Sequence, residues 1–283
     1  MSQPVHATDR MVRDASPAPQ PVAAAAASQT PSGWRALLVS GNAWTGYHDA
    51  AVVSFGQRLA SGGDTRVTAL AHAAGSPVER VGEVGERFRA MGERPDEACL
   101  VFLTGHGGRH GVQIQRGRSS DVISPSRLDG MVSRNCGDRP TVVVVSSCNS
   151  GVYVGAFRGR ENVVVITASR SDTVSYTGSA VDNLTIFDSC LLRALSGGAR
   201  TWEEAFAIAA ACAGDREAQL GVTPSGPQMW VGSRVRGLAT PGFASAPQLA
   251  QRRPAAAPRA ARHPPPRAAA GSPRRRRSLF RGV

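Results

Sequence analysis

Two apolar runs, residues 99–104 (CLVFLT) and 141–147 (TVVVVSS), decide how this chain of 283 residues folds. Both runs are short and continuous, and neither alternates between apolar and polar side chains. Continuous apolar runs of this length are typical of strands that are buried on both faces. They predict a mainly parallel sheet with helices packed on both sides.

In the surrounding sequence, predicted strands alternate with predicted helices. Further strands are predicted at 34–40, 66–71, 162–167 and 228–231, and helices at 48–60, 76–91, 181–194 and 201–213. The fold class is therefore α/β, with a mainly parallel central sheet of about six strands flanked by helices.

Composition divides the chain into three zones. Residues 1–32 are polar and contain no Leu, Ile or Phe, so we expect a disordered N-terminal extension. Residues 33–238 are the predicted folded domain, and residues 239–283 are an Ala/Pro/Arg-rich tail that we also expect to be disordered. No signal peptide and no transmembrane segment is predicted, which favours a cytoplasmic location or export by a route without a Sec-type signal.

The formal net charge of +12 is concentrated at one end of the chain. All 33 basic residues are arginine, and ten of them lie in residues 251–283, which contain no acidic residue. The predicted domain is therefore close to neutral. The arginines between Arg252 and Arg281 could make weak, non-specific contacts with nucleic acid or another acidic surface. The simpler alternative is a solubilising or removable extension.

The five cysteines, at positions 99, 136, 148, 190 and 212, form no CxxC pair. Their odd number and scattered spacing argue against a disulfide framework and against a cysteine-based zinc site. We expect Cys99, Cys190 and Cys212 to be core thiols and Cys136 to be an incidental loop residue. No metal and no organic cofactor is expected.

Chemically useful residues follow the two strands quoted above. His106 lies in the segment GHGG after the first, and Cys148 begins the segment CNSG after the second. Ligand and reaction sites of parallel α/β sheets lie beyond the carboxyl ends of the strands, and consecutive strands are commonly neighbours. The sequence therefore predicts that His106 and Cys148 meet there, as a thiol nucleophile and its base must.

Residues 104–107 (TGHG) and 146–151 (SSCNSG) together resemble the two catalytic blocks of caspase-fold cysteine peptidases. Within that group the resemblance is to the legumain-like family of asparaginyl endopeptidases, or hemoglobinases, and their bacterial relatives. It extends from residue 33 to about residue 236. It implies a caspase-like three-layer sandwich and a peptide or protein substrate.

The resemblance also implies a mechanism. The Cys148 thiolate would attack the substrate carbonyl, while His106 would assist its deprotonation or protonate the leaving amine. Backbone N–H groups of Gly107 and Cys148 would stabilise the oxyanion. Water would resolve the acyl-enzyme, and an amine acceptor would make the same site a transpeptidase.

Other segments are implied to bind substrate. Asp172 and Ser175 fall in the segment that lines the pocket for the residue before the cleaved bond, although both could simply cap a turn. His48 begins a helix or forms a pocket wall. The family's first loop carries an arginine, which is missing here, and an asparagine that orients the histidine. Gly46 stands at the asparagine position, and Asn42 is a candidate substitute. These departures support a rival hypothesis, an inactive interaction protein that has kept the fold.

Overall fold

The computed structural model describes residues 31–242, apart from 42–45, 79, 95, 117–118 and 179–182. Nearly all of the expected N-terminal extension and Arg-rich tail lies outside these residues. So does Asn42, the candidate for orienting the histidine.

The described part of the chain contains nine strands and six helices. The strands are β1 Gly33–Ser40, β2 Thr65–Leu70, β3 Glu97–Thr104, β4 Gly107–Gly108, β5 Gly111–Arg116, β6 Ser119–Ile123, β7 Thr141–Ser146, β8 Val163–Thr167 and β9 Gln228–Val231. The helices are α1 Tyr47–Gly62, α2 Val81–Ala90, α3 Pro125–Cys136, α4 Val152–Phe157, α5 Ile186–Ser196 and α6 Trp202–Leu220.

The central sheet has six strands in the order β2-β1-β3-β7-β8-β9. The first five are parallel, and β9 pairs with β8 in the antiparallel direction. Every residue of β3 and β7 is buried. The prediction of a mainly parallel sheet built on these two strands is therefore confirmed.

Alternate side chains of each strand enter two separate cores, because successive residues of a strand point to opposite faces. Leu38 and Phe102 pack with apolar residues of α1, α5 and α6. Leu37 and Val101 pack on the other face with residues of α2, α3 and α4. Each such buried side chain stabilises the fold by about 1.5–3 kcal/mol. The result is the expected three-layer sandwich.

Side-chain caps determine where three of the helices begin. The hydroxyls of Ser124, Thr185 and Thr201 accept hydrogen bonds from the first-turn N–H groups of α3, α5 and α6. Such caps stabilise a helix start by about 1 kcal/mol. Since Thr185 is the cap of α5, that helix begins at Ile186, five residues after the predicted start.

A small second sheet was not predicted. It has the order β4-β5-β6 and is antiparallel, and it follows His106 directly. Its signal is short, because only Val112 and Ile114 alternate as buried residues in a segment rich in Gly, Arg and Ser. The helices α3 and α4 were missed as well.

Ordered packing continues past the predicted domain end at residue 238. Ala239 forms a β-bridge with Thr201, and the Thr240 N–H donates to the Arg200 carbonyl at 3.0 Å. The Gly242 N–H donates to the Asp64 carboxylate at 2.8 Å. Residues 239–242 therefore pack with the domain rather than with the tail.

The expectation of no disulfide framework was wrong. Cys99 of β3 is bonded to Cys136 of α3, and Cys190 of α5 is bonded to Cys212 of α6. Spacing alone does not reveal these pairs, because packing of distant elements brings the sulfurs together. Cys148 is the remaining free thiol.

No group of three or more His, Cys, Asp or Glu side chains in the described residues could hold a metal ion. None of the helices there is long and apolar enough to cross a membrane.

Candidate active site

His106 and Cys148 follow the ends of two neighbouring strands, at equivalent positions in the register. Thr104 at the end of β3 is the register partner of Ser146 at the end of β7, and each candidate residue lies two positions further on. Adjacent strands are about 4.8 Å apart. The expectation that these two strands are neighbours is therefore confirmed, and both residues lie at one edge of the sheet.

Gly107 brings the two loops into direct contact. A Cβ atom at this position would lie 2.5 Å from both the carbonyl oxygen of Cys148 and Oγ of Ser147. Real Cβ atoms do not approach backbone this closely, so only glycine permits the contact. The residue after His106 thus packs on the backbone of the candidate nucleophile.

Cys148 is half-buried and contacts the backbone of Ser175. The Ser175 N–H donates to Sγ at 3.4 Å, and Sγ lies 3.6 Å from the Ser175 carbonyl oxygen. An N–H group aimed at sulfur stabilises negative charge there. Ser175 therefore lies beside the thiol, through its backbone rather than through its hydroxyl.

Asn149, the residue after Cys148, forms hydrogen bonds with the segment before Ser175. It adopts the left-handed conformation with φ of 56°, which asparagine tolerates better than most residues. Its N–H donates to the Thr173 carbonyl at 2.8 Å, and its side-chain amide donates to the Ser171 carbonyl at 2.9 Å. Asp172 instead faces solvent, with its side chain 70% exposed and paired with Arg170 at 3.1 Å.

The His106 ring is exposed and rests against a second histidine. The rings of His106 and His48 meet edge to face, with centroids 5.4 Å apart and planes at 80°. The His106 carbonyl accepts a hydrogen bond from the Gln113 N–H at 2.8 Å, which fixes the backbone.

His48 begins a buried chain of hydrogen bonds. Its Nδ1 lies 2.9 Å from Oγ1 of Thr104, and that hydroxyl donates to Oδ2 of Asp188 at 3.1 Å. All three side chains are buried, and they come from α1, β3 and α5. Neither Thr104 nor Asp188 is among the site residues predicted from the sequence. The available signal was a carboxylate inside the apolar α5 sequence IFDSCLL.

Burial shifts the pKa values of the two residues at the ends of this series of hydrogen bonds, Asp188 and His48. It raises the pKa of Asp188 to about 6, and hydrogen bonds from nearby hydroxyls, those of Thr185 and Thr104 among them, oppose the rise. Burial also lowers the pKa of His48 to about 4, and the nearby His106 lowers it further, while Asp49 raises it. At neutral pH, His48 is therefore uncharged and Asp188 is a carboxylate.

A buried tyrosine joins the hairpin after His106 to the helix after Cys148. The Tyr153 hydroxyl on α4 donates to the Ile123 carbonyl and accepts from the Val112 N–H at 2.8 Å. Burial raises the pKa of this phenol above its usual range. The tyrosine therefore stays protonated and links α4 to the hairpin that follows His106.

Residues 80–210 match the family model described as the peptidase C13 family, which is the legumain family. No curated protein matches the chain. Among solved structures, caspase-1 from Spodoptera frugiperda is similar, with 10% identity and a TM-score of 0.51. The alignment covers 72% of this chain and 88% of the caspase chain. At that identity the likeness concerns the fold.

The matched range contains β3, β7 and the loops that carry His106 and Cys148. The fold around it is the caspase-like sandwich described above. This match and this fold together support a legumain-like peptidase domain of the caspase fold, with the family similarity lying in residues 80–210.

Proposed function

We propose that the protein is a cysteine endopeptidase with Cys148 as nucleophile and His106 as its proton-transfer partner. The observation that carries this proposal is the register of β3 and β7, which pairs Thr104 with Ser146. His106 and Cys148 therefore follow their strands at the same end of the sheet. The glycine contact between the two loops supports the proposal further.

In the first half of the reaction, the Cys148 thiol passes its proton to His106, its sulfur bonds to the substrate carbonyl carbon, and the carbonyl oxygen takes the negative charge. Backbone N–H groups of Gly107 and Cys148 are proposed to donate to that oxygen. The tetrahedral intermediate collapses, the C–N bond breaks, and His106 gives its proton to the departing amine.

In the second half, water attacks the acyl-enzyme and passes a proton to His106, the C–S bond breaks to release the new carboxyl terminus, and His106 returns the proton to the departing sulfur. A peptide amine in place of water would form a new peptide bond, so transpeptidation needs no further residue.

We assign substrate binding to residues 171–175. Ser175 is the member nearest the sulfur, and its backbone N–H and carbonyl are within reach of an extended peptide. Asp172 lies at the outer edge of this segment in its ion pair with Arg170, and we propose that it shapes the rim. Tail arginines 252–281 remain a proposed weak contact for acidic partners, which binding at increasing salt would test.

The test is cleavage of a peptide library by the purified full-length protein. Cys148→Ala and His106→Ala should each lower cleavage at least about a thousandfold, as expected when a reacting group is removed. His110→Ala is the matched control, because that exposed histidine lies in the turn between β4 and β5. Undiminished cleavage by Cys148→Ala would overturn the proposal, and a wild-type protein that cleaves no peptide would favour the inactive interaction protein.

A further inference from the structure

The cluster formed by His48, Thr104 and Asp188 lies directly behind the exposed ring of His106. Thr104 is the last residue of β3, two positions before His106, and His48 contacts the His106 ring. The cluster therefore touches the proposed catalytic histidine through both its backbone and its ring.

The number of hydrogens available determines which group donates in each hydrogen bond of the cluster. A threonine hydroxyl has one hydrogen, and here it goes to the Asp188 carboxylate. The Thr104 oxygen must then accept, so Nδ1 of His48 carries the hydrogen in their 2.9 Å contact. That assigns one tautomer to His48 and leaves Nε2 without a hydrogen.

An uncharged His48 suits its neighbour. Two imidazolium rings 5.4 Å apart would repel each other, so only one can carry charge at low cost. Because His48 is buried, charge on its ring is disfavoured, so His48 does not repel a positive charge on the His106 ring. The edge-to-face packing restricts the rotation of the His106 ring without competing for its proton.

We propose that His48, held in place by Thr104 and Asp188, is the positioning residue that orients His106 toward Cys148. This inference rests on the proposed function. It assigns His48 to the support of the catalytic histidine and not to the wall of the substrate pocket.

The first test compares Thr104→Val, which removes the central hydroxyl with little change of shape, with Thr104→Ser, which keeps it. In Thr104→Val, kcat should fall about 10- to 100-fold, since misplacing a reacting group by about 1 Å costs that much. KM should stay within about twofold of wild type. Thr104→Ser should restore kcat to within about threefold.

His48→Asn supplies a second comparison. The asparagine amide can donate to Thr104 in place of Nδ1, so the buried bonds survive while the ring against His106 is lost. It should be as slow as Thr104→Val and should unfold at nearly the wild-type temperature. His72→Ala, which changes an exposed histidine outside the cluster, is the control and should behave as wild type.

The rate at which iodoacetamide alkylates Cys148 measures the orientation of His106 toward Cys148 without any substrate. At pH 7, Thr104→Val and His48→Asn should be alkylated about tenfold more slowly than wild type, as His106→Ala should be. At pH 10 thiols are ionised without help, and all variants should react alike. Equal rates at pH 10 also show that the thiol is equally accessible in all variants, and their unfolding temperatures show that they are folded.

Several outcomes would overturn the inference. A raised KM with unchanged kcat would place His48 in the substrate pocket, and wild-type alkylation of both variants at pH 7 would remove its positioning role. If the wild-type protein cleaves no peptide, the proposed function fails. The alkylation rates then still decide whether His48 orients His106.

Discussion

At the scale of single residues, the site couples two groups whose charges are both suppressed by burial. Asp188 is protonated in the fold up to about pH 6, whereas His48 stays neutral down to about pH 4. Their effects on the pH dependence of stability are opposite in sign.

For Asp188, the folded state holds the proton at higher pH than the unfolded state does. The stability it contributes is therefore full below about pH 4 and is lost as the pH rises through 6. For His48, the unfolded state binds the proton first, so stability is lost as the pH falls from 6.5 to 4. In the wild-type protein the two effects nearly cancel in this range.

Single substitutions should separate the two effects. Between pH 6.5 and 4.5, Asp188→Asn should lose about 2 kcal/mol of unfolding free energy relative to wild type, because only the His48 effect remains. His48→Asn should gain about the same amount, because only the Asp188 effect remains. Urea unfolding at the two pH values measures both. Variants whose pH dependence equals that of wild type would show that these groups titrate normally.

At the scale of elements, Tyr153 determines how the hairpin after His106 sits on α4. Tyr153→Phe removes the bond to Ile123 and leaves the buried Val112 N–H without its acceptor. An unsatisfied buried group costs about 1–3 kcal/mol, and we expect that loss of unfolding free energy. Cleavage should slow as well, because the hairpin begins at the residue after His106.

Tyr176→Phe is the matched control for this prediction. Its hydroxyl donates to the Thr223 carbonyl in an exposed position, so water can replace the bond. We expect a change below about 1 kcal/mol. Equal losses in the two variants, measured by urea unfolding, would contradict a special role for Tyr153.

Elements also explain which predictions succeeded. The strands containing 99–104 and 141–147 were predictable, because continuous apolar runs have few other uses in a chain of this length. Their neighbouring positions led directly to His106 and Cys148. The carboxylate inside apolar α5 indicated that Asp188 is buried, but its partners were not predictable, because they meet only where α1, β3 and α5 pack together. The β4–β6 sheet was missed because two alternating residues are too few to indicate a strand.

At the scale of the whole molecule, the two disulfides connect strand to helix and helix to helix around the sheet. Cys190 and Cys212 are 22 residues apart in the sequence, and closing a loop of that size stabilises a fold by about 3 kcal/mol. Disulfides persist in oxidising compartments. They therefore favour such a compartment over the cytoplasmic location expected from the sequence.

Cys212→Ser should lower the unfolding free energy by about 3 kcal/mol, and adding a reductant to the wild-type protein should lower it at least as much. Under denaturing, non-reducing conditions, the wild-type protein should release one reactive thiol, that of Cys148. Five reactive thiols, or a reductant without effect on stability, would contradict the pairing. Thiol titration and urea unfolding provide the measurements.

The register between β3 and β7 has a consequence for how this protein can vary. Side chains of a strand alternate between faces, so inserting or deleting one residue in either strand would turn the following side chain to the opposite face. The proposed pairing of His106 with Cys148 would then be lost, even with both residues and both loops intact. Length changes in these two strands are therefore incompatible with the proposed site, whatever residues the strands contain.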